Sequence, residues 1–123
     1  MNKVGLKAHK NGRSLLTADL SWKGKLCSEA KIRSHVVTLD SPKKIGGDER
    51  GPSPSELFLA ALGSCMMTNI SRISSRMKIN LKDVHMKVSG IKEYNEHPSS
   101  FTSLDIDVYI NAENADIKNL KDY

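Results

Sequence analysis

The chain has 123 residues and a mass of 13.6 kDa, enough for one domain and too little for two. Apolar residues at 38% exclude a disordered polymer, and aromatics at only 5% leave the core to aliphatic side chains and Met. The net charge is +5, and the surplus lies in residues 1–50, where eleven Lys or Arg face five Asp or Glu. Those basic residues stand singly apart from Lys43-Lys44, with no basic helical stripe and no aromatic platform. That pattern reads as a solvated basic face and argues against nucleic acid.

The first half alternates with period two. Val4, Leu6 and Ala8 share one strand face, and Asn11-Gly12 is a strong hairpin signal because such turns need positive φ. A return strand places Leu16, Ala18, Leu20 and Trp22 together. After Gly24, Leu26, Ser28, Ala30 and Ile32 alternate with Cys27, Glu29, Lys31 and Arg33, so Cys27 is expected to be partly exposed. Val36–Leu39 completes this sheet. Residues 40–53 hold Pro42, Gly46, Gly47, Gly51 and Pro52, a long and flexible loop of the kind that often carries function.

Ser53-Pro54-Ser55-Glu56 predicts a helix start. Ser53 is placed to cap, Pro54 suits the first helical position, and Glu56 is spaced to close a capping box. The helix is expected to run to about Met77. Its stretch from Leu57 to Met67 has almost no polar face, so it should be buried on all sides. One sheet of so short a chain cannot do that, which leaves further helices or a second subunit. A strand then carries Val84, Met86 and Val88, and another carries Leu104, Ile106, Val108 and Ile110 against Asp105, Asp107 and Tyr109. Ala115–Tyr123 reads as the start of an amphipathic helix.

The apolar stretch 57–67 is about half of what a membrane span needs, and no charged-then-apolar leader is seen. The expectation is a cytoplasmic protein with no membrane partner. The four His stand apart, and neither Cys has a zinc-site neighbour, so no metal or other cofactor is predicted. No phosphate-binding glycine loop and no serine elbow occurs. The one candidate nucleophile is Cys65, in Gly63-Ser64-Cys65. It lies too far into the helix for help from the N-terminal dipole, so activation needs a cation brought from elsewhere. By residue type alone, a buried structural thiol is the simpler reading.

The run from Gly46-Gly47 through Gly51-Pro52-Ser53-Pro54-Ser55-Glu56-Leu57-Phe58 to Gly63-Ser64-Cys65 resembles the signature of the OsmC/Ohr family. These are the osmotically inducible and organic-hydroperoxide-resistance proteins. The likeness extends over roughly residues 14–111, and the Trp22-Lys23-Gly24 turn is more similar to the OsmC-like branch. It implies an α+β fold, with antiparallel sheets wrapped around a buried central helix in an intertwined homodimer. It implies a thiol-dependent reduction of hydroperoxides in oxidative stress defence, with the thiol at Cys65 as the peroxidatic group. Peroxidatic members carry a Glu directly after the helix-opening Pro; here Ser55 stands there and Glu56 follows. Glu56 is therefore the carboxylate candidate, and Lys23 stands in for the family's Arg as a point charge. The family's second cysteine lies in a C-terminal helix. The single domain 1–123 is expected to lack that helix and strand, or to take its resolving thiol from an external reductant. The alternative is a non-catalytic dimer that binds a small apolar ligand at its interface.

Overall fold

The computed structural model describes residues 12–94 and 100–113. The strand expected at Val4–Ala8, the His97-Pro98 pair and the helix expected from Ala115 lie outside them. The chain divides into two compact units, Met1–Pro54 and Ser55–Tyr123.

In the first unit, β-branched and aliphatic residues spaced by turn residues form three short antiparallel strands. They are β1 (Asp19–Trp22), β2 (Ser28–Ile32) and β3 (His35–Leu39), in the spatial order β1-β2-β3. Leu20 sits opposite Ala30, and Ala30 opposite Val37, so these three share one face. The return strand is shorter than its pattern suggests: it starts at Asp19 and leaves Leu16 exposed. Between β2 and β3 a two-residue turn uses Arg33 at φ 55, the sign such hairpins need.

Cys27 corrects the sequence reading. It is 3% exposed, one of the buried apolar residues of this unit with Ala30 and Leu39. The alternation that placed it outward does not reach it, because β2 begins only at Ser28. Cys27 belongs instead to the preceding turn. Its carbonyl accepts from Lys23 N and its own N–H donates to Gly24 O, both at 2.9 Å.

The loop after β3 is built around one buried carboxylate. Asp40 is 1% exposed. Its Oδ1 accepts from Ser41 N at 2.7 Å, and its Oδ2 from Asp48 N at 3.3 Å and Arg50 N at 3.2 Å. Its own N–H donates to Pro52 O at 3.0 Å, closing the loop at its far end. A short 3-10 turn, Lys43–Ile45, fills the middle. Gly47 and Gly51 lie directly on the backbone of Ser41 and Thr38, where no Cβ would fit. The segment read as flexible is therefore tightly organised.

The second unit pairs a long helix with a long hairpin. The helix α1 (Pro54–Arg76) opens on the proline, as expected. It stops where Lys78 turns left-handed at φ 56, with Lys78 N bonding Ser75 O and Ile79 N bonding Ser74 O. The strands β4 (Asn80–Glu93) and β5 (Ser100–Glu113) then pair antiparallel, with Val84 opposite Ile110 and Val88 opposite Ile106. Val84, Met86, Val88 and Gly90 are half-buried, whereas His85, Lys87 and Ser89 are exposed. The register shifts at Ile91/Lys92, which turns Phe101 over Gly90 and into a stack with Phe58, centroids 5.9 Å apart.

By length and composition α1 could cross a membrane. In this fold it lies against the hairpin, closest at Gly63, where a Cβ would come within 2.8 Å of Val88 and 3.3 Å of the Met86 sulfur. The expectation of burial on all sides is not met within one chain. A two-stranded hairpin covers one flank, so only Gly63 and Ser74 of the helix are buried.

Candidate active site around Cys65

The 3.6-residue period of α1 gives it two faces. Leu59, Leu62, Met66, Ile70 and Ile73 are half-buried on one, with Gly63 at the point of closest approach. Phe58, Ala61, Cys65, Thr68 and Arg72 are exposed on the other. Cys65 is a free, exposed thiol in the middle of the helix, not the buried structural residue that its type suggests. Its exposure comes from its angular position, which the hairpin does not reach.

Glu56 and Cys65 are not brought together. Nine residues separate them, which at about 100° per residue puts them on opposite sides of one helix. Glu56 borders a different feature, a groove of about 510 Å³ between α1 and β4. Its walls are Leu59, Ala60, Met67, Met86 and Val88, with Gly63 and Ser64 alongside. Cys65 does not line it.

Lys23 stands in the turn between β1 and β2, in the other compact unit. Trp22 Nε1 donates to Lys25 O at 2.9 Å, and Lys25 Nζ pairs with Asp48 at 3.2 Å. Lys23 itself makes no ion pair among the described residues. The pair at Lys25 is exposed on both sides and adds little stability.

Two polar features escaped the sequence reading. Ser55, at the place where the resemblance puts a carboxylate, accepts a 2.8 Å hydrogen bond from Lys92 Nζ. Lys92 also lies 5.6 Å from the Tyr94 ring centroid. The signal was present: Lys92 continues the inward series Val84, Met86, Val88, Gly90 with a cation. The second is Asp40. Its Ser41 N–H bond holds the carboxyl below the ordinary aspartate value of 3.8, helped by Arg50 and Asp48 N–H groups and the Arg50 charge, against the opposing effect of burial. Among the described residues no three His, Cys, Asp or Glu side chains converge as a metal site.

The family model for OsmC-like proteins matches residues 46–123, more than half of the chain, including the loop from Gly46 on, α1 and the hairpin. The chain belongs to the OsmC-like family. Its fold agrees with solved OsmC-like structures. The OsmC-like protein of Mycoplasma pneumoniae superposes with a TM-score of 0.76 at 18% identity, covering 89% of this chain and 79% of that one. An OsmC-like protein of unknown function from Vibrio cholerae gives 0.71 at 19% identity, covering 89% and 84%. The organic hydroperoxide resistance protein OsmC of Legionella pneumophila gives 0.61 at 20% identity, covering 89% and 80%. At these identities the likeness is one of fold. No curated relative matches the chain in sequence. In this OsmC-like chain the helix after the glycine loop carries the single cysteine of the motif, on the open face.

Proposed function

We propose that this OsmC-like protein reduces organic hydroperoxides with a thiol, Cys65 being the peroxidatic residue. The observation that carries the reading is the exposed sulfur at the middle of α1, in the family's helix. The Cys65 thiolate attacks the distal peroxide oxygen, the O–O bond breaks, and the sulfur becomes a sulfenic acid as an alcohol leaves. A small thiol reductant from outside the chain then restores it, in the cytoplasm.

A second copy of the chain is the proposed cover for the open face of α1. Phe58 is 53% exposed there, in line with Ala61 and Cys65, an apolar row that a helix in water does not keep bare. Since Glu56 faces away from Cys65 on its own helix, Glu56 and Lys23 would serve the thiol of the other copy. Sedimentation at micromolar concentration should give a dimer, and a stable monomer would remove this part of the reading. The catalytic test is peroxide consumption with a dithiol donor. Wild type should turn over and Cys65→Ser should not; no turnover by wild type with any donor ends the peroxidase reading. Mixing Cys65→Ser chains with Glu56→Gln/Lys23→Ala chains should restore about one site per hybrid dimer if the site is shared.

One observation favours a second reading. The groove beside Glu56 is apolar, contains two Met, and is separate from Cys65. A non-catalytic dimer binding a small apolar ligand there would show ligand binding unaffected by Cys65→Ser.

A further inference from the structure

The bare backbone of Gly63 lets β4 come so near α1 that a Cβ there would stand 3.3 Å from the Met86 sulfur. That sulfur lies where helix and hairpin pack against each other. Met86 also borders the groove of about 510 Å³ between α1 and β4, and Met67 borders the same groove from the helix. Two thioether side chains from two different elements thus meet one cavity. Met86 is half-buried and Met67 is 38% exposed, so a molecule in the groove can reach both. The other walls are the side chains of Leu59, Ala60 and Val88, which suit the hydrocarbon part of a small organic molecule.

A thioether is a polarisable but weak nucleophile. A peroxide held beside it reacts faster than one free in water, because the step becomes intramolecular. We propose that this groove is a modification site, where an organic hydroperoxide seated by its apolar part oxidises Met86 and Met67 to sulfoxides. The inference rests on the reading of the groove as a site for apolar ligands and is independent of Cys65. A sulfur lone pair attacks the distal oxygen, and the S–O bond forms as the O–O bond breaks. The hydroperoxide proton moves to the departing oxygen, which leaves as an alcohol. Sulfur is oxidised by two electrons and the peroxide is reduced by two.

The two products differ in consequence. On Met67 the new oxygen reaches water. At Met86 the helix side is closed by Gly63, and the groove side is apolar, with Ser64 the one lining side chain that can donate a hydrogen bond. A sulfoxide dipole there is poorly satisfied and loosens α1 from β4.

The test uses Cys65→Ser protein, so that no thiol on α1 consumes the oxidant. Met66 and Met77 are half-buried like Met86 but do not line the groove, and serve as internal controls. Fragment mass spectra compare sulfoxide at Met67 and Met86 with sulfoxide at Met66 and Met77. That ratio should be about tenfold higher with cumene hydroperoxide than with hydrogen peroxide, which has no apolar part to be held. Cumyl alcohol in excess should protect both groove methionines and shift their methyl NMR signals. Equal ratios for the two peroxides overturn the proposal. If the alcohol still shifts the signals, the groove remains a ligand site; if it does not, that reading falls as well. Selective oxidation that the alcohol does not slow also overturns the proposal, since the peroxide is then not reacting from the groove. Oxidised protein should show a urea midpoint lower by about 1 M, restored by methionine sulfoxide reductases. Met86→Leu should keep its midpoint under the same treatment, and Met67→Leu should lose it. An unchanged midpoint after full oxidation of Met86 refutes the loosening.

Discussion

Gly63 on α1 and Val88 on β4 meet where no side chain fits between them, a Cβ on Gly63 lying 2.8 Å from the Val88 methyl. On an open helix face, replacing Gly by Ala gains about 1 kcal/mol of helix propensity. Here the sign reverses, because Val88 is short and branched and cannot swing aside. Gly63→Ala should cost about 1–3 kcal/mol, the range for overpacking. Urea midpoints check it, and Gly63→Ala combined with Val88→Ala should recover part of the loss. A stabilised Gly63→Ala would show that helix and hairpin do not pack as described.

Asp40 makes the 40–53 loop sensitive to acid. Its folded-state pKa is lowered, first by the Ser41 N–H bond. The stabilisation is therefore complete above the unfolded value and is lost as pH falls through the folded one. Urea midpoints from about pH 6 down to about pH 2 should show an acid-side loss that Asp40→Asn largely removes, from a lower starting stability. The Asn amide would also direct N–H groups at backbone N–H groups, so protease cleavage within 41–52 should be faster at neutral pH. Equal acid dependence in the two proteins would exclude Asp40 as the holding group.

The two cysteines should behave differently under oxidation. Cys27 is buried in its turn and Cys65 is exposed on the helix. Brief hydroperoxide treatment should leave Cys27 a thiol and Cys65 a sulfenic acid or mixed disulfide, as read by peptide mapping. An intrachain Cys27–Cys65 bridge as the main product would refute this.

The end of α1 holds a strained residue. Lys78 adopts φ 56, a left-handed position that costs a side-chain-bearing residue about 1–2 kcal/mol and glycine little. Lys78→Gly should raise stability by about 1 kcal/mol after the extra chain entropy of glycine is set against it. No gain in the thermal midpoint would mean that the Lys78 side chain contributes a compensating contact.

One turn earlier, Ser74 Oγ is buried without a hydrogen-bond partner among the described residues. Removing an unsatisfied hydroxyl recovers its desolvation cost, so Ser74→Ala should stabilise by about 1 kcal/mol. A loss of stability on that substitution would point to a partner held by the hydroxyl.

What the sequence by itself determined is local. Ser53-Pro54 set the start of α1, and alternation over 84–88 and 104–110 drew the hairpin, because capping chemistry and periodicity act between near neighbours. The motif from Gly46 to Cys65 pointed to the family and its cysteine. What only the tertiary structure decided is which side of each element meets something. Alternation put Cys27 outward, but a turn closed by backbone bonds took it out of the strand and buried it. The apolar stretch from Leu57 to Met67 pointed to burial on all sides with the help of a second subunit, whereas within one chain the hairpin reaches one flank and leaves Cys65 exposed on the other. Asp40 read as one more loop residue; its Ser41 partner is the next residue, but its Asp48 and Arg50 N–H partners lie eight and ten residues on and are brought to it by the fold of the loop, not by spacing. Contacts of that kind depend on where distant backbone arrives, and no local pattern carries that information.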